Sequence, residues 1–126
     1  MEFKNAKGIS QQIADNLSGK VAAGHYSPGQ RIPSVRELAA EMGVNPNTIV
    51  RSYAELQTRG IIENQRGIGY FVTDNANDII MEWKKKEFFE NDLPAIAAQM
   101  AVLGITSDQL KPHLERLLTN ANHENK

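Results

Sequence analysis

Between positions 45 and 52 the chain places Asn45, Asn47, Thr48, Arg51 and Ser52 around an apolar stripe of Ile49, Tyr53 and Leu56. The stripe has the spacing of one buried helix face, so the polar side chains are expected on the faces left over. Asparagine and arginine each carry paired hydrogen-bonding groups that match the major-groove edges of adenine and guanine, and serine and threonine hydroxyls can pair with any base. Asn45 also has a local role, because Asn followed by Pro46 is a favoured helix start. Two further groups could contact a nucleic-acid backbone. Ser34 and Arg36 open an earlier helix whose N-terminal amides suit a phosphate. Arg66 and Gly67, with Gly69 close behind, sit in a glycine-rich turn where a cation could enter a minor groove.

The elements that must position these residues are legible from local signals. Ser34 and Glu37 have capping-box spacing, and Val35, Leu38, Ala39 and Met42 follow on one helical face until Gly43. Two helices are predicted over roughly 34–42 and 46–59, a helix-turn-helix. Ile61–Asn64 and Tyr70–Thr73 are β-prone runs joined by the turn at 65–69, a hairpin directly after the second helix. Upstream, Ile9, Ile13, Leu17 and Val21 predict an amphipathic helix ended by Gly24, roofing the unit. Pro33 pushes Ile32 into an extended conformation. Tyr53 and Tyr70 are read as core or rim residues, and Lys84-Lys85-Lys86 as a solvated helix face.

After Asp74–Asn77 the pattern is helical again, so the division is placed at 1–75 and 76–126. Pro94 should kink or restart the helix, with Asn91 or Asp92 as cap, and Thr106 or Ser107 should cap the last helix. Leu93, Ile96, Met100 and Leu103 recur at intervals of 3, 4 and 3, and Leu110, Leu114, Leu117 and Leu118 form a second apolar face. Some 50 residues bury such groups poorly alone. They could fold back on the first part of the chain or pair with a second copy; the spacing favours pairing, and together with Ile80, Trp83 and Phe88 they are assigned to a dimer seam, which would present two reading heads to a two-fold site. Asn120–Lys126 is expected to fray.

Composition narrows the function. The chain has 126 residues and no cysteine, which excludes disulfides and thiolate metal sites. His25, His113 and His123 are scattered, Gly67-Ile68-Gly69 lacks the third glycine of a dinucleotide fingerprint, and no serine lies in a nucleophile elbow. No enzyme, cofactor or metal is indicated. No membrane span is visible, and the N-terminal MEFKNAKGISQQ lacks a signal-peptide core, which suggests a cytoplasmic protein. Net charge is −1. Residues 1–75 hold eight Lys/Arg against seven Asp/Glu, and the remainder six against eight. With so small a basic excess, DNA binding must rest on a few placed cations, doubled in a dimer.

The runs Tyr26-Ser27-Pro28-Gly29-Gln30-Arg31-Ile32-Pro33-Ser34-Val35-Arg36-Glu37-Leu38-Ala39, Gly43-Val44-Asn45-Pro46-Asn47-Thr48, Tyr53-Ala54-Glu55-Leu56 and Gly67-Ile68-Gly69-Tyr70-Phe71-Val72 resemble the GntR family of bacterial transcription regulators. The short helical tail resembles that of the YtrA-like subfamily. The resemblance implies a mainly α fold with a small β-hairpin wing. It is a winged helix-turn-helix followed by a C-terminal helical dimerisation hairpin, binding a palindromic double-stranded operator as a homodimer and usually repressing. YtrA-like members often control transporter operons. By resemblance the phosphate and base contacts fall on Arg36, Asn45, Asn47, Thr48, Arg66 and Gly67. Many members have arginines where this chain has Pro46 and Val50; here the cation is Arg51. The tail lacks the large effector domain of most subfamilies, and no effector is assigned. Two competing readings are a winged-helix module for a protein partner and a small-molecule sensor with an apolar pocket near Trp83, Phe88 and Phe89.

Overall fold

A computed structural model describes residues 8–124 of the chain. The chain forms two compact units, Met1–Lys84 and Lys85–Lys126. The expectations for the N-terminal leader at 1–7 and for the end of the tail at 125–126 lie outside the described residues.

In the first unit, α1 (Ile9–Ala22) buries Ile13, Ala14, Leu17, Ser18 and Val21. Its apolar residues recur near every fourth position, so one face is continuous. α2 (Val35–Met42) begins at Ser34, whose hydroxyl accepts from the Glu37 amide at 3.1 Å while Glu37 accepts from the Ser34 amide at 2.8 Å. The capping box is therefore complete. Gly43 ends α2 in the left-handed region at φ 68°, where a residue with a Cβ would be strained. Asn45 then caps α3 (Pro46–Arg59) through its side-chain oxygen, which accepts from the Asn47 amide at 2.8 Å. The turn is short because both ends are locally specified.

α3 buries Ile49, Ser52, Tyr53 and Leu56, and it packs against both α1 and α2. The hairpin follows as β1 (Ile62–Gln65) and β2 (Gly69–Val72), antiparallel with Ile62 opposite Val72 and Gln65 opposite Gly69. Arg31 adds a bridge to Phe71, and the Ile32 amide donates to the Tyr70 carbonyl at 2.9 Å. The link before α2 is thus extended, as Pro33 requires, and lies along the hairpin's second strand.

α4 (Ala76–Glu87) supplies Ala76, Ile80 and Trp83 to the same core as Leu17, Leu38, Ile49, Tyr53 and Val72. This moves two expectations. The first compact unit extends to Lys84 rather than stopping at residue 75. Ile80 and Trp83, assigned from sequence to a dimer seam, are only 3% and 7% exposed because they close the base of the helix-turn-helix unit. Trp83 also lies beneath two cations, with the Arg59 guanidinium 3.8 Å and the Lys84 ammonium 3.9 Å from its ring centroid. Lys84 reaches Asp15 on α1 at 2.8 Å and is half-buried, while Lys85 and Lys86 are exposed.

In the second unit a π-helical turn, Phe88–Asp92, leads into α5 (Leu93–Leu103). Neither Asn91 nor Asp92 caps α5. Asp92 is itself in the helical region and makes no side-chain cap bond, because the wide turn carries the helix onward with Pro94 in the first turn of α5. Gly104, at φ 69°, ends α5. α6 (Ser107–Glu124) is started by a capping box in which the Thr106 hydroxyl accepts from the Gln109 amide and Gln109 accepts from the Thr106 amide. α6 continues to Glu124, through most of the segment expected to fray, and accommodates Pro112 within its second turn. Among the described side chains from 85 to 122 none is buried. No helix among the described residues is long and apolar enough to cross a membrane.

Candidate nucleic-acid interface

Burial divides α3 into two faces. Ile49, Ser52, Tyr53 and Leu56 point into the unit, while Asn47, Val50, Arg51, Ala54, Gln57 and Thr58 are exposed. Thr48 lies on the border, half-buried. Of the sequence candidates on this helix, Asn45, Asn47 and Arg51 are open to an approaching surface. Ser52 is not. It is 0% exposed, and its hydroxyl donates to the Ser10 carbonyl of α1 at 2.6 Å and lies 3.1 Å from the Thr48 carbonyl. Reading Ser52 as a DNA contact is therefore corrected: it fastens α3 to α1. As a polar residue it is expected off the apolar stripe, but three positions past Ile49 it stands only ~60° from that residue around the helix, on the buried side.

Tyr53 fixes the opposite edge of α3. It is fully buried, and its hydroxyl donates to the Pro33 carbonyl at 2.7 Å. Its ring meets Tyr70 edge-on with centroids 4.9 Å apart, so one side chain joins α3, the link before α2 and the hairpin. Burial pushes the Tyr53 phenol above its ordinary value, assisted by Tyr26 and Tyr70, which keeps it protonated as a donor.

Arg36 is exposed in the first turn of α2, beside Ser34. The Ser34 backbone and then its hydroxyl hold the Glu37 carboxyl below its ordinary value. Glu37 is therefore ionised at neutral pH and engaged by its own helix start. Ser34's hydroxyl accepts from that helix and is half-buried, so its first role is the cap. Arg66 and Gly67 form the exposed hairpin tip, where Gly67 adopts φ 78° and the Ile68 amide donates to the Gln65 carbonyl at 2.8 Å. A left-handed residue there lets a four-residue strand return directly.

One cation at the hairpin escaped the sequence reading. Arg31 is exposed in the extended link, where it bridges to Phe71, and its guanidinium lies over Gly69, where a Cβ would meet Nε at 2.7 Å. Nothing in the spacing from 31 to 69 signals this contact.

Two helices with a left-handed glycine between them, the second showing a polar outer face, and a hairpin behind it make a winged helix-turn-helix. Residues 9–72 match the family of bacterial regulatory proteins named for gntR. The chain belongs to the GntR family. It is 38% identical over 109 residues to the uncharacterised HTH-type transcriptional regulator YhcF of Bacillus subtilis, covering 86% of this chain and 88% of that one. It is also 38% identical over 81 residues to the HTH-type transcriptional repressor YtrA of Bacillus subtilis, covering 64% and 62%. A GntR-family regulator from Bacteroides thetaiotaomicron superposes with a TM-score of 0.77 at 34% identity, over 90% of this chain and 99% of that one. The DNA-binding domain of AraR, solved in complex with its operator ORX1, gives a TM-score of 0.54 at 26% identity over 57% and 87%. The chain is thus a YtrA-like GntR regulator of DNA-binding type rather than an enzyme.

Proposed function

We propose that this GntR regulator is a homodimeric repressor that reads a palindromic operator through the outer face of α3. Asn47, Thr48 and Arg51 approach base edges, with Asn45 at the start of the helix. Arg36, beside the Ser34 cap, meets a phosphate, and the wing-tip pair Arg66 and Gly67 enters the minor groove. The observation that carries this reading is the separation of faces on α3: Ile49, Tyr53 and Leu56 fill the core, while Asn47 and Arg51 make none of it.

Dimerisation is supported by the second unit. Phe88, Leu93, Ile96, Leu103, Leu114 and Leu117 are all exposed in the single chain, and Met100 and Leu110 are half-buried. Leu103 at 69% and Leu117 at 58% exposure leave an apolar surface that a second copy would cover. Repression and control of a transporter operon follow the YtrA-like resemblance, and the relative named as the repressor YtrA supports the first; action in the cytoplasm fits a regulator whose target is DNA. Trp83 is buried in the first unit, so it cannot line the sensor pocket considered from sequence.

Selection of bound duplexes from a random pool tests the proposal. It predicts an enriched two-fold site with half-sites about one helical turn, ~34 Å, apart. Arg51→Ala should weaken binding and relax base preference at one position per half-site by roughly 1–3 kcal/mol. An enriched site without two-fold symmetry, or unchanged selectivity in Arg51→Ala, would overturn it.

A further inference from the structure

On the outer face of α3 a branched apolar side chain, Val50, stands exposed beside hydrogen-bonding ones. Val50 is 50% exposed, whereas its neighbour Ile49 is fully buried. At ~100° per residue, Val50 lies ~60° from Asn47 and ~40° from Ala54 around the helix axis, within the exposed stripe. Asn47, Val50 and Ala54 therefore stand one above another at i, i+3 and i+7, with Arg51 alongside. A β-branched side chain is a poor choice for an exposed helical position, where it loses rotamer freedom without gaining burial. The fold gives Val50 no core role, and water gives it no benefit.

The surface proposed to cover this stripe is the floor of a major groove, and only one feature there is apolar. That feature is the 5-methyl group of thymine. We infer that Val50 reads a thymine methyl in each half-site, so that one operator position is specified by apolar contact rather than by hydrogen bonds. The inference rests on the operator reading above and names a determinant within it. A side chain with two methyls on its β-carbon, carried close to the helix backbone, presents a short, stiff apolar surface. Ala54, one turn further on, is small enough to let the groove floor come near.

The test replaces each thymine of the selected duplex in turn by deoxyuridine, which keeps base pairing and removes only the methyl. With the full-length chain, one symmetry-related pair of thymines should stand out, losing roughly four-fold in affinity per half-site for one methyl. In Val50→Ala the affinity for the thymine duplex should fall and the thymine-to-deoxyuridine ratio at that pair should approach one. Ratios at the other thymines should not change. Val50→Thr, which keeps one methyl, should retain part of the discrimination. Thermal melts of both variants check that the helix is intact. A flat deoxyuridine scan on an enriched duplex overturns the Val50 assignment alone, as does a ratio unchanged in Val50→Ala. Absence of any enriched duplex overturns the operator reading and this inference with it.

Discussion

The guanidinium of Arg31 occupies the space that a side chain at Gly69 would fill: a Cβ there would stand 2.7 Å from Nε and 3.4 Å from Cζ. The two residues are 38 positions apart in sequence and meet because the extended link before α2 bridges to β2. Gly69 also has φ 143°, a conformation open mainly to glycine. Gly69→Ala should therefore lower the denaturant midpoint by an amount corresponding to ~1 kcal/mol or more. Combining it with Arg31→Ala should recover the steric share and leave the backbone share. Strict additivity of the two losses would show that the guanidinium does not sit over the glycine.

Tyr53→Phe removes a single hydroxyl and leaves the Pro33 carbonyl without its donor. Because Tyr53 is fully buried, the expected cost is about 1–3 kcal/mol in unfolding free energy. A loss within experimental error in chemical denaturation would mean that water replaces the phenol freely.

Ser52→Ala separates anchoring from reading. Its hydroxyl bond to the Ser10 carbonyl is worth about 1 kcal/mol. Stability should fall by that order while the ranking of bound sequences stays as in the parent chain. A changed base preference at the selected site, with stability untouched, would restore the contact role that burial removes.

Leu117→Asp places a charge on the most exposed leucine of α6 without touching the first unit's core. Sedimentation should shift from dimer to monomer, and operator affinity should fall with it. A dimer that survives this change and a matching one at Leu103 would place the seam elsewhere.

The Glu37 carboxyl gives a pH dependence with a defined sign. Its pKa in the fold lies below the ordinary 4.5, so its share in capping α2 is complete at neutral pH. That share is lost only as acidity rises and the pH falls through the lowered value. Glu37→Gln keeps the capping geometry and should flatten the acid limb of a stability–pH curve.

These relationships differ in how far the sequence reveals them. The starts of α2, α3 and α6 are legible because Ser34, Asn45 and Thr106 act on amides two or three residues away. The left-handed glycines at 43 and 60 are equally local. Ile80 and Trp83 were recognisably buried-type residues, but a periodic pattern states that a face is covered without stating by what. Here the cover is the first unit's own core. Ser52 misleads for a related reason, since a small hydroxyl looks polar in sequence but is consumed by a backbone carbonyl 42 residues away. Arg31 over Gly69 depends wholly on tertiary pairing. The continuation through Phe88–Asp92 defeats cap reasoning because a widened turn needs no cap.

The two faces of α3 also bear on how such a regulator could change its target over time. Ser52 and Tyr53, which anchor the helix to α1, to the link before α2 and to the hairpin, lie on its inner side. Asn47, Val50, Arg51 and Ala54 lie on the other. Exchange of these four side chains touches no core volume and breaks none of the bonds that hold the helix in place. Under the operator reading proposed above, the protein can thus acquire a new sequence preference at little thermodynamic risk, and a combinatorial library confined to these positions should yield mostly folded members with diverse targets.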